Sequence, residues 1–362
     1  MLPYLWPMSP YCPIGTDVSR AARLLKRGKL VAIPTETVYG LAAHAFHPEA
    51  VRGIYTAKGR PSNNPLILHT DHPERLPDWG MVLPPLAEEL AREFSPGPLT
   101  FVIPASRRVI SEVNGGQAGV AVRFPAHPLA LELLQQLDFP LVAPSANPSG
   151  YMSPTRAGHV LEGLGDRIDY ILDGGPCAIG LESTILSFLE PQPVLLRHGG
   201  VPLELIEERI GTVRLHPSLW KEAASIDQHR LQEAPGMLSR HYAPRCPLQI
   251  GDPRERSGKY PGEKLARIFF CLPTGPLPER SWVLSPEGSM GEAARNLFHV
   301  LRLAEQTDPD RIIVEPFPDE GIGRALNDRL RRAAFERTGA EPNVFTSPPV
   351  PLSPRPARAA AR

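Results

Sequence analysis

Short apolar runs alternate with helix-period segments through the first 210 residues, and this alternation constrains the fold more than any other feature of the chain. In residues 17–28 (DVSRAARLLKRG), Val18, Ala21, Ala22 and Leu25 fall on one helical face, and Gly28 can close the helix in the left-handed conformation. Residues 29–33 read as a buried strand. Pro48 opens a second helix that carries Val51, Ile54 and Tyr55 on one side and ends at Lys58-Gly59. Further strands are predicted at 66–69, 99–103, 119–124, 140–143, 170–172, 183–188 and 194–197, and helices at 84–94, 128–137 and 202–210. Such interleaving implies α/β layering around a twisted sheet. Several strand-to-strand connections are too short to hold a helix, so part of the sheet must be antiparallel and the sheet mixed.

The chain is long enough, at 362 residues, for two cores. From 211 to 247 the periodicity fades into an irregular connector. A second α/β pattern occupies 248–340, with an apolar strand at 265–272. Ser289 caps a helix bearing Ala293, Leu297, Val300, Leu301 and Ala304. A strand at 311–317 and a helix at 323–337, with Leu326, Leu330 and Ala333 inward, complete it. Residues 341–362 are rich in proline, alanine and arginine without a period and are expected to be disordered. Proline is abundant, 44 residues, yet elsewhere it punctuates patterned segments and reads as loop chemistry.

Several classes are excluded. No run of 18 apolar residues is present, so no membrane span is expected. The start, MLPYLWPMSPYCP, lacks the basic region of a secretory leader. Cys12, Cys177, Cys246 and Cys271 form no CxxC pair, which fits a reducing cytoplasm and argues against structural zinc. His44 and His47 have no third ligand at metal spacing. Basic and acidic residues balance at 39 each, against bulk electrostatic binding of nucleic acid. No GxxxxGK[ST] occurs, and Gly321-Ile-Gly323-Arg-Ala-Leu326 lacks the third glycine of a dinucleotide fingerprint, so it reads as a helix start after a tight turn.

Chemistry-bearing residues gather at element ends in the first half. Thr37 lies in PTETVYG, just past a buried strand, and ligands in open α/β sheets bind outside strand ends. Lys58-Gly59-Arg60 places a point charge and a bidentate fork at a helix end, a pairing suited to a phosphate chain. His69 and Arg123 sit late in apolar strands; a buried arginine demands a carboxylate or phosphate. Ser145-Ala-Asn147 follows another strand, Ser183 begins one and Arg197 ends one. Each taken singly reads as an ordinary rim residue or cap; together they describe a cationic hollow for a polyanion beside a small zwitterion. No serine has a triad-like partner, so a protein nucleophile is not expected.

These segments, PTETVYGLAA, KGRPSNNPLILH, SPGPLTFVI, VAVRFPAHP, VAPSANPSG and ESTILSF, resemble in order the YrdC-type threonylcarbamoyl-adenylate synthases. APGMLSRHYAP, ARNLFHVLR and GIGRALNDRLRRAA resemble the long form with a linker and a smaller, Rossmann-like C-terminal α/β domain. The resemblance implies a YrdC-like catalytic domain at 14–210, a linker or lid at 211–247 and a C-terminal domain at 248–340. It implies that L-threonine, bicarbonate or carbon dioxide, and ATP with Mg²⁺ give L-threonylcarbamoyl-AMP and pyrophosphate, for tRNA modification next to the anticodon by a separate transferase complex. Carried over by position, Lys58 and Arg60 are catalytic. Thr37, His69, Arg123, Ala143 and Ser183 hold threonine. Lys58, Arg60, Asn64, Ser145, Asn147, Ser153, Arg197 and Tyr242 face ATP. Gly119 occupies a position that carries a side-chain nucleotide contact in the family, leaving only backbone. Cytoplasmic location, no metal ligand from protein side chains, and weak or absent direct tRNA binding go with this reading. The competing readings are a carbamoyl-adenylate-forming relative using carbamoyl phosphate and an RNA-binding or ribosome-maturation module.

Overall fold

The computed structural model describes residues 12–219, 235, 241–254 and 262–334. The tail expected at 341–362 and much of the connector at 211–247 lie outside the described residues. The first half runs Ile14–Gly15 (β1), Val18–Lys26 (α1), Val31–Ile33 (β2), Gly40–His44 (β3), Pro48–Lys58 (α2), Ile67–His69 (β4), Pro85–Phe94 (α3), Leu99–Pro104 (β5), Ser111–Asn114 (α4), Gly119–Arg123 (β6), Pro128–Gln135 (α5) and Leu141–Val142 (β7). It continues through Ala157–Leu164 (α6), Tyr170–Leu172 (β8), Thr184–Ser187 (β9), Val194–Arg197 (β10), Leu203–Ile210 (α7) and Arg214–Leu215 (β11). These strands form one 11-stranded sheet in the order β1-β8-β2-β3-β7-β4-β6-β5-β9-β10-β11. It is mixed, as the short connections required: β4 and β6 pair parallel, whereas β5 and β6, and β4 and β7, pair antiparallel.

Local chemistry explains where the elements begin and end. The Asp17 carboxylate accepts from the Arg20 amide at 2.8 Å and caps α1. Gly59 adopts φ 59° at the end of α2, a left-handed turn that glycine makes without strain and that ends the helix between Lys58 and Arg60. The elements not foreseen have physical reasons for their silence. The small residues of β3 (GLAAH) lack β-branched character, and α6 (AGHVLEGL) holds two glycines that blur its period.

Packing leaves one part of the sheet uncovered by helices. The main core joins one sheet face to α2, α3, α6 and α7, through Ile54, Leu90, Val160 and Ile206. On the other face α1 and α5 cover β2, β3, β7 and β8. Beyond them, that face carries only the small apolar group Ile67, Val102, Ala121, Ile185, Val194 and Leu196. Strand alternation places His69 and Arg123 on this same face, opposite one another across the β4–β6 pair.

The second half contributes Leu248–Ile250 (β12), Leu265–Phe269 (β13), Ser281–Val283 (β14), Met290–Glu305 (α8), Arg311–Val314 (β15) and Ile322–Ala334 (α9). Its four strands are all parallel, in the order β12-β15-β13-β14. Ser289 caps α8 as expected, its hydroxyl accepting from the Glu292 amide at 3.3 Å. The core under α8 and α9 takes in Met152 and Leu181 from the first half, so the two halves share buried apolar surface. Among the described residues no helix is long and apolar enough to cross a membrane.

Candidate active site

The uncovered sheet face forms a cleft. Its wall includes Val38, Arg60, Ile67, His69, Arg123, Ala143, Ser145, Glu182, Ser183, Arg197, His241 and Tyr242. Three loops meet there. The PTETVYG and SAN loops are zipped together: Gly40 bridges to Ser145, and the Ala146 amide donates to the Tyr39 carbonyl at 2.8 Å. Within the first loop the Thr35 hydroxyl bonds the Val38 carbonyl at 2.6 Å and lies 2.8 Å from the Thr37 hydroxyl, a hydroxyl-made turn. The third loop, after α2, is tied to the second by Lys58. Its ammonium donates to the Ser145 carbonyl and to the Asn147 carbonyl, the latter at 2.5 Å. Lys58 is therefore buried behind the wall, and burial together with the Arg60 charge holds its amine well below the ordinary lysine value. Lys58 is the last residue of α2, as the pattern led one to expect, and it also ties two loops together.

The arginines differ in their partners. Arg60 donates to the Asn64 carbonyl at 3.2 Å, the Asn64 side-chain oxygen at 2.6 Å and the Pro65 carbonyl at 2.8 Å. Arg197 donates to the Ser183 carbonyl at 2.9 and 3.0 Å, the Ser183 hydroxyl at 3.1 Å and the Pro235 carbonyl at 3.0 Å. All these partners are neutral. Burial lowers both guanidiniums, Arg60 to about 10, which marks cations short of counter-charge. Arg123 instead pairs with the Glu36 carboxylate at 2.7 Å and also donates to the Gly97 carbonyl at 3.3 Å. Glu36 thus sets the orientation of Arg123.

His69 is buried, and burial followed by the Arg123 charge lowers it to about 3. Its Nδ1 lies 3.0 Å from the Ile67 carbonyl, so that nitrogen carries the hydrogen and Nε2 is left as an acceptor. Ser183 lies 2.7 Å, hydroxyl to hydroxyl, from Thr100. Ser153 donates to Glu182. The Tyr242 ring packs edge-on against His241, 4.0 Å between centroids, and near Phe298 at 5.7 Å. Asn64 Nδ2, Asn147 Oδ1, His241 Nδ1 and the Tyr242 hydroxyl are buried with no hydrogen-bond partner among the described residues. Of these, His241 and Tyr242 line the cleft, where a polar ligand can satisfy such orphaned atoms on binding. Gly119 shares the sheet face of Arg123, and a Cβ there would come within 2.8 Å of the Leu189 side chain and 3.0 Å of Val102.

Comparison with known proteins supplies the family. A family model described as telomere recombination matches residues 23–199, and one described as threonylcarbamoyl-AMP synthase, C-terminal domain, matches 201–335. The curated threonylcarbamoyl-AMP synthase of Pyrococcus abyssi is 43% identical over 323 residues, 88% of this chain and 94% of its own length. This chain belongs to the threonylcarbamoyl-AMP synthase family. Its Bacillus subtilis relative is 40% identical over 89% of this chain and 94% of the relative. The crystal structure of P. abyssi Sua5 complexed with L-threonine superposes with a TM-score of 0.81 at 41% identity, covering 89% of this chain and 97% of that one. Both family models match within one chain, so it is a synthase of the long, two-domain form.

Of the residues expected from the sequence, Arg60, His69, Arg123, Ala143, Ser145, Ser183, Arg197 and Tyr242 line the cleft directly. Thr37, Lys58, Asn64, Asn147 and Ser153 stand buried one layer behind them. Sequence reasoning left out Glu36, Glu182 and His241 as site residues. The signal was available for the first two, since each acid adjoins a threonine or serine already singled out, in TET and EST.

Proposed function

We propose that this cleft joins L-threonine, bicarbonate or carbon dioxide, and ATP into L-threonylcarbamoyl-AMP and pyrophosphate. The observation that carries the reading is the convergence of Arg60, Arg197, His69, Arg123 and Ser183 on one hollow, with two buried guanidiniums bonded only to neutral groups. A triphosphate supplies the missing negative charge. On this reading Arg123, steered by Glu36, takes the threonine carboxylate. The Nε2 of His69 accepts a hydrogen bond from the amino acid, with Thr37, Ser183 and the Ala143 backbone completing that side. Arg60, Asn64, Ser145, Asn147, Ser153 and Arg197 take the nucleotide, helped by backbone at Gly119. Lys58 fixes the loops around the phosphates and Tyr242 covers them.

The threonine amine adds to carbon dioxide and loses a proton, giving a carbamate. A carbamate oxygen then attacks the α-phosphorus and pyrophosphate departs. Such transfer needs positioning and charge neutralisation rather than a protein nucleophile. Among the described residues no group of three His, Cys, Asp or Glu could hold a metal. Mg²⁺ would accompany the ATP phosphates and neutralise part of their charge. Residues 14–210 act as the catalytic unit, 211–247 as its cover and 248–340 as a C-terminal unit. The protein works in the cytoplasm, and its product passes to a separate transferase complex acting on tRNA. An RNA groove fits less well, because Arg60, Arg123 and Arg197 are buried rather than presented to solvent.

The deciding measurement is pyrophosphate release by the full-length chain with threonine and bicarbonate together and with each omitted. Release that requires both supports the reading; release indifferent to threonine sinks it.

A further inference from the structure

The loop that follows β7 is fastened from outside at four consecutive residues, and three of the fastenings lead to the second half of the chain. The Gly150 carbonyl accepts from the Ala243 amide at 2.9 Å. The Tyr151 hydroxyl donates to Glu305 of α8. The Met152 carbonyl accepts from Arg302 of α8 at 2.6 Å, and the Met152 side chain is fully buried in the core of the second half. Ser153 donates to one oxygen of Glu182, whose other oxygen accepts from Arg329 of α9 at 2.8 Å.

We infer that Arg302, with Glu305 and Arg329, is a positioning device through which the C-terminal half sets the nucleotide affinity of the cleft. This rests on the reading of residues 145–153 as the nucleotide wall. The mechanical route is short. Arg302 is 3% exposed and lies over the Tyr151 ring at 4.8 Å while bonding the next carbonyl. The Tyr151 carbonyl in turn accepts from Asn147 Nδ2 at 2.8 Å, and the Asn147 carbonyl accepts from Lys58 at 2.5 Å. A shift of the loop at 151–152 is thus transmitted to Asn147 and Ser145. The threonine-side groups His69 and Arg123 sit on β4 and β6, which are held by the sheet itself. Loosening the brace should therefore weaken ATP and spare threonine.

The test is steady-state kinetics of full-length Arg302→Ala, Arg302→Lys and Tyr151→Phe, with Ser145→Ala as the control for the nucleotide assignment. Arg302→Ala is expected to raise the ATP KM about five- to tenfold and leave the threonine KM within twofold. Arg302→Lys should recover most of that loss, since an amine still reaches the Met152 carbonyl. Tyr151→Phe should raise the ATP KM about two- to threefold, and it serves in place of Arg302→Ala if that variant does not fold. Equal rises for both substrates, or a fall in kcat alone that tracks the folded fraction by near-ultraviolet circular dichroism, would overturn the brace. An ATP KM unmoved by Ser145→Ala would instead remove the nucleotide assignment on which it rests.

Discussion

Two sets of buried arginines lie close together in this molecule and behave oppositely. At the join between the halves, Arg329 meets Glu182 at 2.8 Å and Asp328 at 2.9 Å, while Arg332 meets Asp328 at 3.1 Å. Neighbouring negative charge, with the Tyr242 phenol, raises the Arg329 guanidinium despite its burial. In the cleft, Arg60 and Arg197 bond to carbonyls and a hydroxyl or amide, and burial lowers them. Burial and residue type are the same in both places. Counter-charge distinguishes them: the matched set is part of the fold, and on the proposed reading the unmatched set takes its anion from outside.

That contrast makes measurable commitments. The largest effect is expected for Arg60→Ala, which removes a preorganised cation from the phosphates. Adenylate formation should fall by roughly 10²- to 10³-fold, with a stability loss of about 1–2 kcal/mol from its hydrogen bonds. Kinetics and urea unfolding on the same variant check both. Arg329→Met should do the reverse in emphasis. It strands the buried carboxylate of Glu182, and unfolding should become easier by about 3–5 kcal/mol. If Arg60→Ala proved the more damaging to stability, the distinction between the two sets would fail.

Acid sharpens the comparison further. His69 and His159 are both held down at about 3, in each case first by burial and then by a neighbouring arginine. In the unfolded chain they take up protons near pH 6.5. The unfolded state therefore binds more protons between those values, and stability must fall as pH drops below about 6.5. The slope is at most about 1.4 kcal/mol per pH unit for each group. Urea midpoints at pH 7 and pH 5 should show the loss, and His159→Gln should flatten the slope by up to one group's share. Ligand binding offers a further check: inorganic triphosphate near 100 times its Kd should stabilise the native protein by about 2.7 kcal/mol. The same concentration should stabilise Arg60→Ala less, and an equal melting shift in both proteins would detach Arg60 from the phosphates.

The sequence made the cleft legible because its residues sit at the ends of strongly patterned strands. His69 closes β4, Arg123 closes β6 and Arg197 closes β10, so a topological rule was enough to gather them. The pairing of Glu182 with Arg329 was not legible, since 147 residues separate the two and no periodicity links them. The role of Lys58 was half legible. Its charge and place beside Arg60 were plain, but only the fold reveals that two carbonyls across the cleft rim claim its ammonium. The strands β12 and β14 were not foreseen: unlike the equally short but wholly buried β2, β4 and β8, they are largely half-exposed and carry no apolar run.

Tyr242 has a backbone φ of 64°, a conformation that disfavours any residue bearing a Cβ. Glycine would relax it, yet a large ring stands there, fully enclosed between His241, Phe298 and Arg329. The strained backbone is therefore offset by the contacts that the enclosed ring makes with these neighbours. Exchanging Tyr242 for glycine would trade a backbone relieved of that torsion against an unfilled space among three neighbours.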